Sequence, residues 1–104
     1  MKPNEIAIRI LRDPDAYALF QTIVSQRSIR LKDLCDRALV EEGWRSKYVD
    51  PEELRNKLLI VLETLKKEQL IEEHPAPIQD FTIYNPTMAG LSVDRALGVL
   101  GSKL

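Results

Sequence analysis

The chain of 104 residues has one cysteine, Cys35, and one histidine, His74. A single cysteine excludes an internal disulfide and is typical of proteins from a reducing compartment. The sequence also lacks a glycine-rich phosphate loop, metal-ligand spacing and a nucleophile paired with a base. We therefore expect no enzymatic activity, no cofactor and no bound metal.

Long apolar runs and an excess of one charge are absent as well. No apolar run approaches the roughly 18 residues of a membrane helix, and the first residues do not have the pattern of a secretory signal. The net charge of −1 gives no overall attraction to nucleic acid or anionic lipid. With 44% hydrophobic and 30% charged residues, the composition predicts one globular domain spanning residues 1–104, cytoplasmic and without membrane contact.

The most informative stretch covers residues 50–73, which we interpret as a long helix running into a strand. Asp50 is a favourable N-cap, and Pro51 follows at the first helical position, where its missing N–H costs nothing. Apolar residues recur at helical spacing and predict a core-facing stripe. They are Leu54, Leu58, Val61, Leu62 and Leu65.

Two residues of this helix fall outside the stripe. At about 100° per residue, Leu59 lies among charged positions and Ile60 lies on the opposite flank. A helix that is apolar on more than one side is either covered by other helices of its own chain or in contact with a partner. The first alternative is the commoner one in small helical domains.

The preceding segments predict two further helices. Asp13 followed by Pro14 repeats the start signal, and this helix extends to about Gln26. Residues 28–30 form a break or one short strand, and a second helix covers residues 31–40. Residues 41–49 form a linker whose Trp44 and Tyr48 either fold over the core or face a partner. Residues 2–12 fit a helix or a strand, and we favour a helix that packs on the domain or on a second copy.

The last third of the chain predicts a hairpin and a short helix. Residues 70–74 and 81–84 have strand patterns, and the prolines between them favour a turn. Asn85 and Pro86 are expected to end the second strand. Ser92 is expected to cap a final helix, whose apolar side must dock on the domain or on a neighbour because so short a helix is not stable alone.

This order of elements resembles that of the winged helix-turn-helix family over residues 13–84. The junction carries the most recognisable text, Leu58-x-x-x-Leu62-x-x-Leu65-Lys66-Lys67-Glu68-Gln69-Leu70-Ile71-Glu72, which resembles a recognition helix entering the wing. Many family members have glycine at the position of Gln69. The resemblance implies a mainly α fold with a small β-hairpin, in which a three-helix core and a wing are flanked by residues 1–12 and 91–104.

The resemblance also implies DNA binding, with the central helix in the major groove and the wing along the backbone. The start of that helix offers three residues that could read bases or phosphates, and the flanking segments offer four that could contact phosphate. The first group is Arg55, Asn56 and Lys57, and the second is Arg30, Lys32, Arg45 and Lys47. However, residues 50–74 contain four Lys or Arg against seven Asp or Glu, and the wing turn has no basic residue.

Two functions therefore remain open from the sequence. The first is a small transcriptional regulator that binds duplex DNA as a homodimer. The alternative is a winged-helix module for protein–protein interaction that does not bind nucleic acid. In both cases apolar residues of the central and last helices are candidates for a partner interface: Leu59, Ile60, Leu97 and Leu100.

Overall fold

The computed structural model describes residues 3–40 and 50–103, which are mainly helical with a small antiparallel sheet. The helices are α1 (Pro3–Arg12), α2 (Pro14–Gln26), α3 (Leu31–Val40), α4 (Pro51–Lys67) and α5 (Met88–Lys103). The strands are β1 (Ile29–Arg30), β2 (Ile71–His74) and β3 (Ile83–Pro86), in the order β1-β3-β2. The predicted class, mainly α with a small β element, is confirmed, and β1 adds a third strand to the predicted hairpin.

Local signals place the helix starts where the sequence predicts them. The Asp13 carboxylate accepts hydrogen bonds from the backbone N–H groups of Asp15 and Ala16, at 3.1 and 3.3 Å. The Asp50 carboxylate accepts one from the N–H of Glu52, at 3.0 Å. Each cap satisfies backbone donors that have no partner within the helix, and the proline that follows has no donor to satisfy. The helical alternative for the first segment is confirmed by α1, which packs against α2 and α5.

The core lies where α2, α3 and the sheet surround one side of α4. All five residues of the predicted stripe on α4 are buried. They pack in one cluster with Phe20 and Ile23 from α2, Leu34 from α3 and Tyr84 from β3. The helical periodicity of α4 therefore determines which of its sides is left for other contacts.

The turn between α4 and β2 has a backbone geometry that favours glycine. Gln69 has a φ of 59°, in the left-handed region that favours glycine. The N–H of Gln69 donates to the carbonyl of Lys66, and that of Leu70 donates to the carbonyl of Leu65. These two bonds form a Schellman motif, which ends the helix and turns the chain into β2.

We expect Gln69→Gly to raise the free energy of unfolding by about 0.5 kcal/mol. Relief of the left-handed backbone strain should exceed the extra entropy that glycine gives the unfolded chain. Urea denaturation measures the difference. Gln69→Ala is the matched control, because it removes the same side chain but keeps the strain. Equal effects of the two substitutions would contradict a backbone origin.

The register of the hairpin differs from the sequence prediction. The second strand covers Ile83–Pro86 rather than residues 81–84, and Phe81 belongs to a 3-10 turn, Gln79–Phe81. Pro86 pairs with Ile71 instead of ending the strand. On its other edge β3 pairs with β1 only at Ile83 and Tyr84. At Pro86 this edge has no partner strand, so no ladder hydrogen bond there requires the N–H that proline lacks.

The last helix also starts earlier than predicted: its first residue is Met88, whereas a cap at Ser92 would have started it at Val93. The Thr87 hydroxyl accepts a hydrogen bond from the N–H of Gly90 at 2.9 Å and donates one to the carbonyl of Gln69 at 2.6 Å. Thr87 therefore caps α5 and fixes it to the turn that ends α4. The helix docks on its own chain, where Leu97 is buried and α1 packs alongside.

Candidate interaction surface

The candidate interaction surface is centred on the side of α4 that faces away from the core. Glu52, Glu53, Asn56, Ile60, Glu63, Thr64 and Lys67 are all exposed there. Three of these residues are acidic and one is basic, so this side of the helix carries net negative charge. Such a surface is electrostatically unfavourable for phosphate.

Arg55, the first predicted base-reading residue, is held by the loop between β2 and β3, residues 75–82, which we name the hairpin loop. Its guanidinium lies 2.6 Å from a carboxylate oxygen of Asp80 and donates a hydrogen bond to the amide oxygen of Gln79 at 3.1 Å. The ion pair neutralises the charge of Arg55 and fixes the hairpin loop against the start of α4. Contact with DNA would require this pair to open.

Arg30, a predicted phosphate contact, is also paired within the chain. Its Nε donates to the carboxylate of Asp33 at 3.1 Å, and its guanidinium lies 5.8 Å from the centre of the Phe81 ring. The side chains of Arg30 and Asp33 are 49% and 42% exposed, so this ion pair contributes little to stability. The pair nevertheless places the carboxylate of Asp33 beside the guanidinium of Arg30 and so reduces the attraction of Arg30 for a phosphate.

The other predicted nucleic-acid residues divide into two groups. Lys32, Asn56 and Lys57 have no ion pair and no side-chain hydrogen bond with any residue of the described ranges. Lys32 is exposed on α3, and Lys57 is half-buried on the flank of α4. Arg45 and Lys47 lie outside the described residues, as do Trp44 and Tyr48.

The predicted partner-interface residues do not form one surface. Ile60 is 62% exposed, whereas Leu59 is half-buried and packs against the core cluster. Leu97 is only 2% exposed, so its prediction as an interface residue is wrong: it faces the chain's own core. Leu100 lies outside the described side chains. Ile60 therefore has the strongest claim to contact a partner.

A groove of about 580 Å³ separates the second half of α4 from the hairpin loop. Leu59 and Leu62 line it on the helix side, and Pro75, Ala76 and Pro77 line it on the opposite side. Its floor is partly apolar, because Tyr84 and Leu62 belong to the core. The sequence did not predict this groove, since it arises only when the hairpin folds back along α4.

The polar end of the groove is a connected network around Glu73. One carboxylate oxygen accepts from the Lys66 ammonium at 3.1 Å, and the other accepts from the Tyr84 hydroxyl at 2.9 Å. Lys66 also donates to Glu63 at 3.3 Å. The hydrogen bond to Glu73 raises the pKa of Lys66. The pKa of Tyr84 is raised mainly by burial and, to a smaller extent, by its own hydrogen bond to Glu73. Both shifts stabilise the protonation states that these side chains already have at neutral pH, a charged ammonium and a protonated phenol.

Three further features of the described residues bear on metal binding, thiol reactivity and membrane contact. No cluster of three His, Cys, Asp or Glu side chains that could hold a metal occurs within residues 3–40 and 50–103. Cys35 is half-buried, and burial raises the pKa of its thiol, which disfavours the reactive thiolate. His74 is exposed at the end of β2, 3.7 Å from Glu72. Within the part of the chain that the structure describes, no helix is long and apolar enough to cross a bilayer.

Comparison with protein-family models, with curated protein sequences and with solved structures found no match to this chain.

Proposed function

We propose that the chain is a winged helix-turn-helix domain that binds protein rather than nucleic acid, through the exposed side of α4. The element order from α2 to β3 and the strand order β1-β3-β2 support the winged-helix assignment. In that assignment α4 is the recognition helix and the hairpin loop is the wing. A fold does not determine a function, so the choice of ligand depends on the surface itself.

The observation that carries this proposal is the pairing of Arg55 with Asp80. In a DNA-binding winged helix the start of the recognition helix and the wing face the duplex together. Here that region contains Glu52, Glu53 and a neutralised arginine, and the wing has no Lys or Arg. Ile60 is exposed one to two turns further along the same helix. An acidic surface with an exposed apolar side chain favours a protein partner over phosphate.

Duplex DNA is the second candidate, because Lys32, Asn56 and Lys57 have no partner among the described residues. A lysine can contact phosphate, and an asparagine can bond to the edge of adenine. These residues lie on α3 and α4, the two helices that a helix-turn-helix presents to DNA. Their lack of partners within the described surface is the observation that favours this candidate.

Titration of a fluorescent random-sequence duplex at about 20 mM and 150 mM salt tests the choice. Non-specific binding through phosphates must weaken steeply as salt rises. We expect no salt-sensitive binding by the unaltered chain at protein concentrations up to about 100 µM, a concentration at which most DNA-binding domains associate non-specifically.

A matched variant makes a negative result meaningful. The double substitution Glu52→Lys and Glu53→Lys reverses the charge on the first turn of α4, and both positions are exposed. This variant should gain measurable, salt-sensitive binding. If the unaltered chain binds DNA with such a dependence and Lys57→Ala weakens that binding, DNA is the ligand and the proposal is overturned.

A further inference from the structure

One line of exposed residues runs along α4 on the side away from the core. It contains Glu53, Asn56, Ile60, Thr64 and Lys67, all exposed, and we name it the α4 stripe. The spacings of three and four residues place its members on one face of the helix. Ile60 lies at the centre and is 62% exposed, with no described residue of the chain covering it.

The charges of the α4 stripe are arranged with opposite signs about Ile60. Glu53 lies seven residues before Ile60 and Lys67 lies seven residues after it, so each charge is roughly 10 Å from the centre. Asn56 and Thr64, which are uncharged, lie four residues before and after it. The stripe is therefore acidic at one end, basic at the other and apolar in the middle.

This arrangement is complementary to itself when two copies of the helix run antiparallel. A two-fold axis at Ile60 places Glu53 of one copy opposite Lys67 of the other, and does so twice by symmetry. The same rotation places Ile60 against its own counterpart and opposes only unlike charges within the stripe. The exposed Glu52 and Glu63 lie beside the stripe on the same side of α4, and Glu63 is paired with Lys66 of its own chain. A parallel pairing would instead oppose glutamate to glutamate and lysine to lysine, which is unfavourable.

We propose that the partner of the α4 stripe is a second copy of this chain, packed antiparallel along α4 about a two-fold axis at Ile60. The inference rests on the proposed function, since it identifies the protein partner of that surface. Glu53 and Lys67 suit the dipole of α4 as its first-turn acid and last-turn base. An antiparallel pair of α4 helices is the arrangement in which these charges also face each other, and this complementarity favours a second copy as the occupant. A duplex would face the carboxylate of Glu53.

The size of the stripe limits the strength of the association. One face of one helix buries less than the roughly 1,600 Å² of a standard interface, so the dimer belongs to the weak class. We expect a dissociation constant in the range of roughly 10–100 µM at low salt. Because the charge pairs lie at the surface, the association should weaken as salt rises.

Sedimentation equilibrium of the full chain at several concentrations tests the inference by charge reversal. Glu53→Lys and Lys67→Glu should each raise the dissociation constant about tenfold, because each converts two attractive pairs into two repulsive ones. The double variant restores opposite charges across the axis and should return the constant to within about threefold of the starting value. Ile60→Asp should raise it roughly a hundredfold, because it places two carboxylates at the axis and removes the apolar contact.

Glu72→Lys is the matched control, because Glu72 is an exposed glutamate on β2, away from the α4 stripe. It changes the net charge by the same amount as Glu53→Lys and should leave the dissociation constant within about threefold. Circular dichroism and urea midpoints establish that each variant is folded. All substituted positions are exposed, so we expect the midpoints to be close to that of the unaltered chain.

Two results would overturn the inference. The first is a chain that stays monomeric up to about 1 mM, and the second is a double reversal that fails to restore association. Neither decides the proposed function, which depends on the separate DNA titration. If the chain is monomeric and does not bind DNA, the proposed protein-binding function stands, and the partner is a protein other than a second copy. A chain that binds DNA would lose that role whatever its oligomeric state.

Discussion

Replacing Gly90 with alanine is expected to lower the free energy of unfolding by about 3 kcal/mol. A Cβ atom at this position would overlap the backbone carbonyl oxygen of Leu70, which cannot move aside as a side-chain tip could. The start of α5 would have to shift away from the end of α4. That shift would weaken two hydrogen bonds, from Thr87 N–H to the Leu70 carbonyl and from the Thr87 hydroxyl to the Gln69 carbonyl. Chemical denaturation measures the loss.

Gly98→Ala is the control in the same helix. A Cβ at Gly98 meets nothing within 4 Å. The residue is solvent-exposed and lies away from the ends of α5. Alanine there should stabilise the chain by roughly 0.5–1 kcal/mol, because it favours the helix and reduces the freedom of the unfolded state. Opposite signs at the two glycines are therefore expected. Similar effects at both would contradict the close approach of α5 to Leu70.

Leu58→Ala should also cost about 3 kcal/mol, for a different reason. Leu58 is fully buried at the centre of α4, among residues from α2, α3 and the sheet. Truncation loses the transfer free energy of the removed carbons and leaves a cavity that the surrounding helices fill only in part. Urea denaturation with a fixed slope gives the change directly.

The corresponding control lies two residues further along the same helix. Ile60→Ala removes a similar number of carbons from a side chain that is 62% exposed. Measured in protein dilute enough to be monomeric, this change should alter the free energy of unfolding by less than about 0.5 kcal/mol. If Ile60→Ala proved as costly as Leu58→Ala, another part of the chain would have to cover Ile60, and the α4 stripe would not be available to a partner.

The helices could be predicted from the sequence because their signals are local. Asp13 and Asp50 cap helices within three residues of themselves, and the apolar spacing in α4 needs no information from the rest of the chain. The glycine preference at Gln69 is equally local, since it reflects one backbone angle. The two caps and the buried stripe of α4 were predicted correctly in position and in physical cause.

The errors occurred where distant residues decide the outcome. The cap of α5 was predicted at Ser92, five residues after Thr87, whose hydroxyl accepts from the N–H of Gly90 and also donates to the distant carbonyl of Gln69. The register of β3 was missed, because β1 and β2 together determine which residues pair. Leu97 was assigned to an interface although α5 turns it toward the core. None of these depends on neighbouring residues alone.

The candidate surface was predictable in part for the same reason. The departure of Ile60 from the core stripe follows from helical geometry, and its exposure agrees. The neutralisation of Arg55 could not be anticipated, because Asp80 lies in a different element and reaches Arg55 only after the hairpin folds. The ion pair between Glu63 and Lys66 could be predicted from their spacing of three residues on one helix. The ion pair between Lys66 and Glu73 could not, because Glu73 lies in a different element.

The pairing of β1 with β3 has a consequence for the order in which the chain folds. Ile29 faces Tyr84 across the ladder, so the first strand must wait for a segment that follows it by half the chain. Turns and helices form quickly because they close short loops, whereas distant contacts carry a larger entropic barrier. We expect α4, β2 and β3 to assemble early and β1 to join late, so that during refolding the amides of β1 should become protected from exchange later than those of β2.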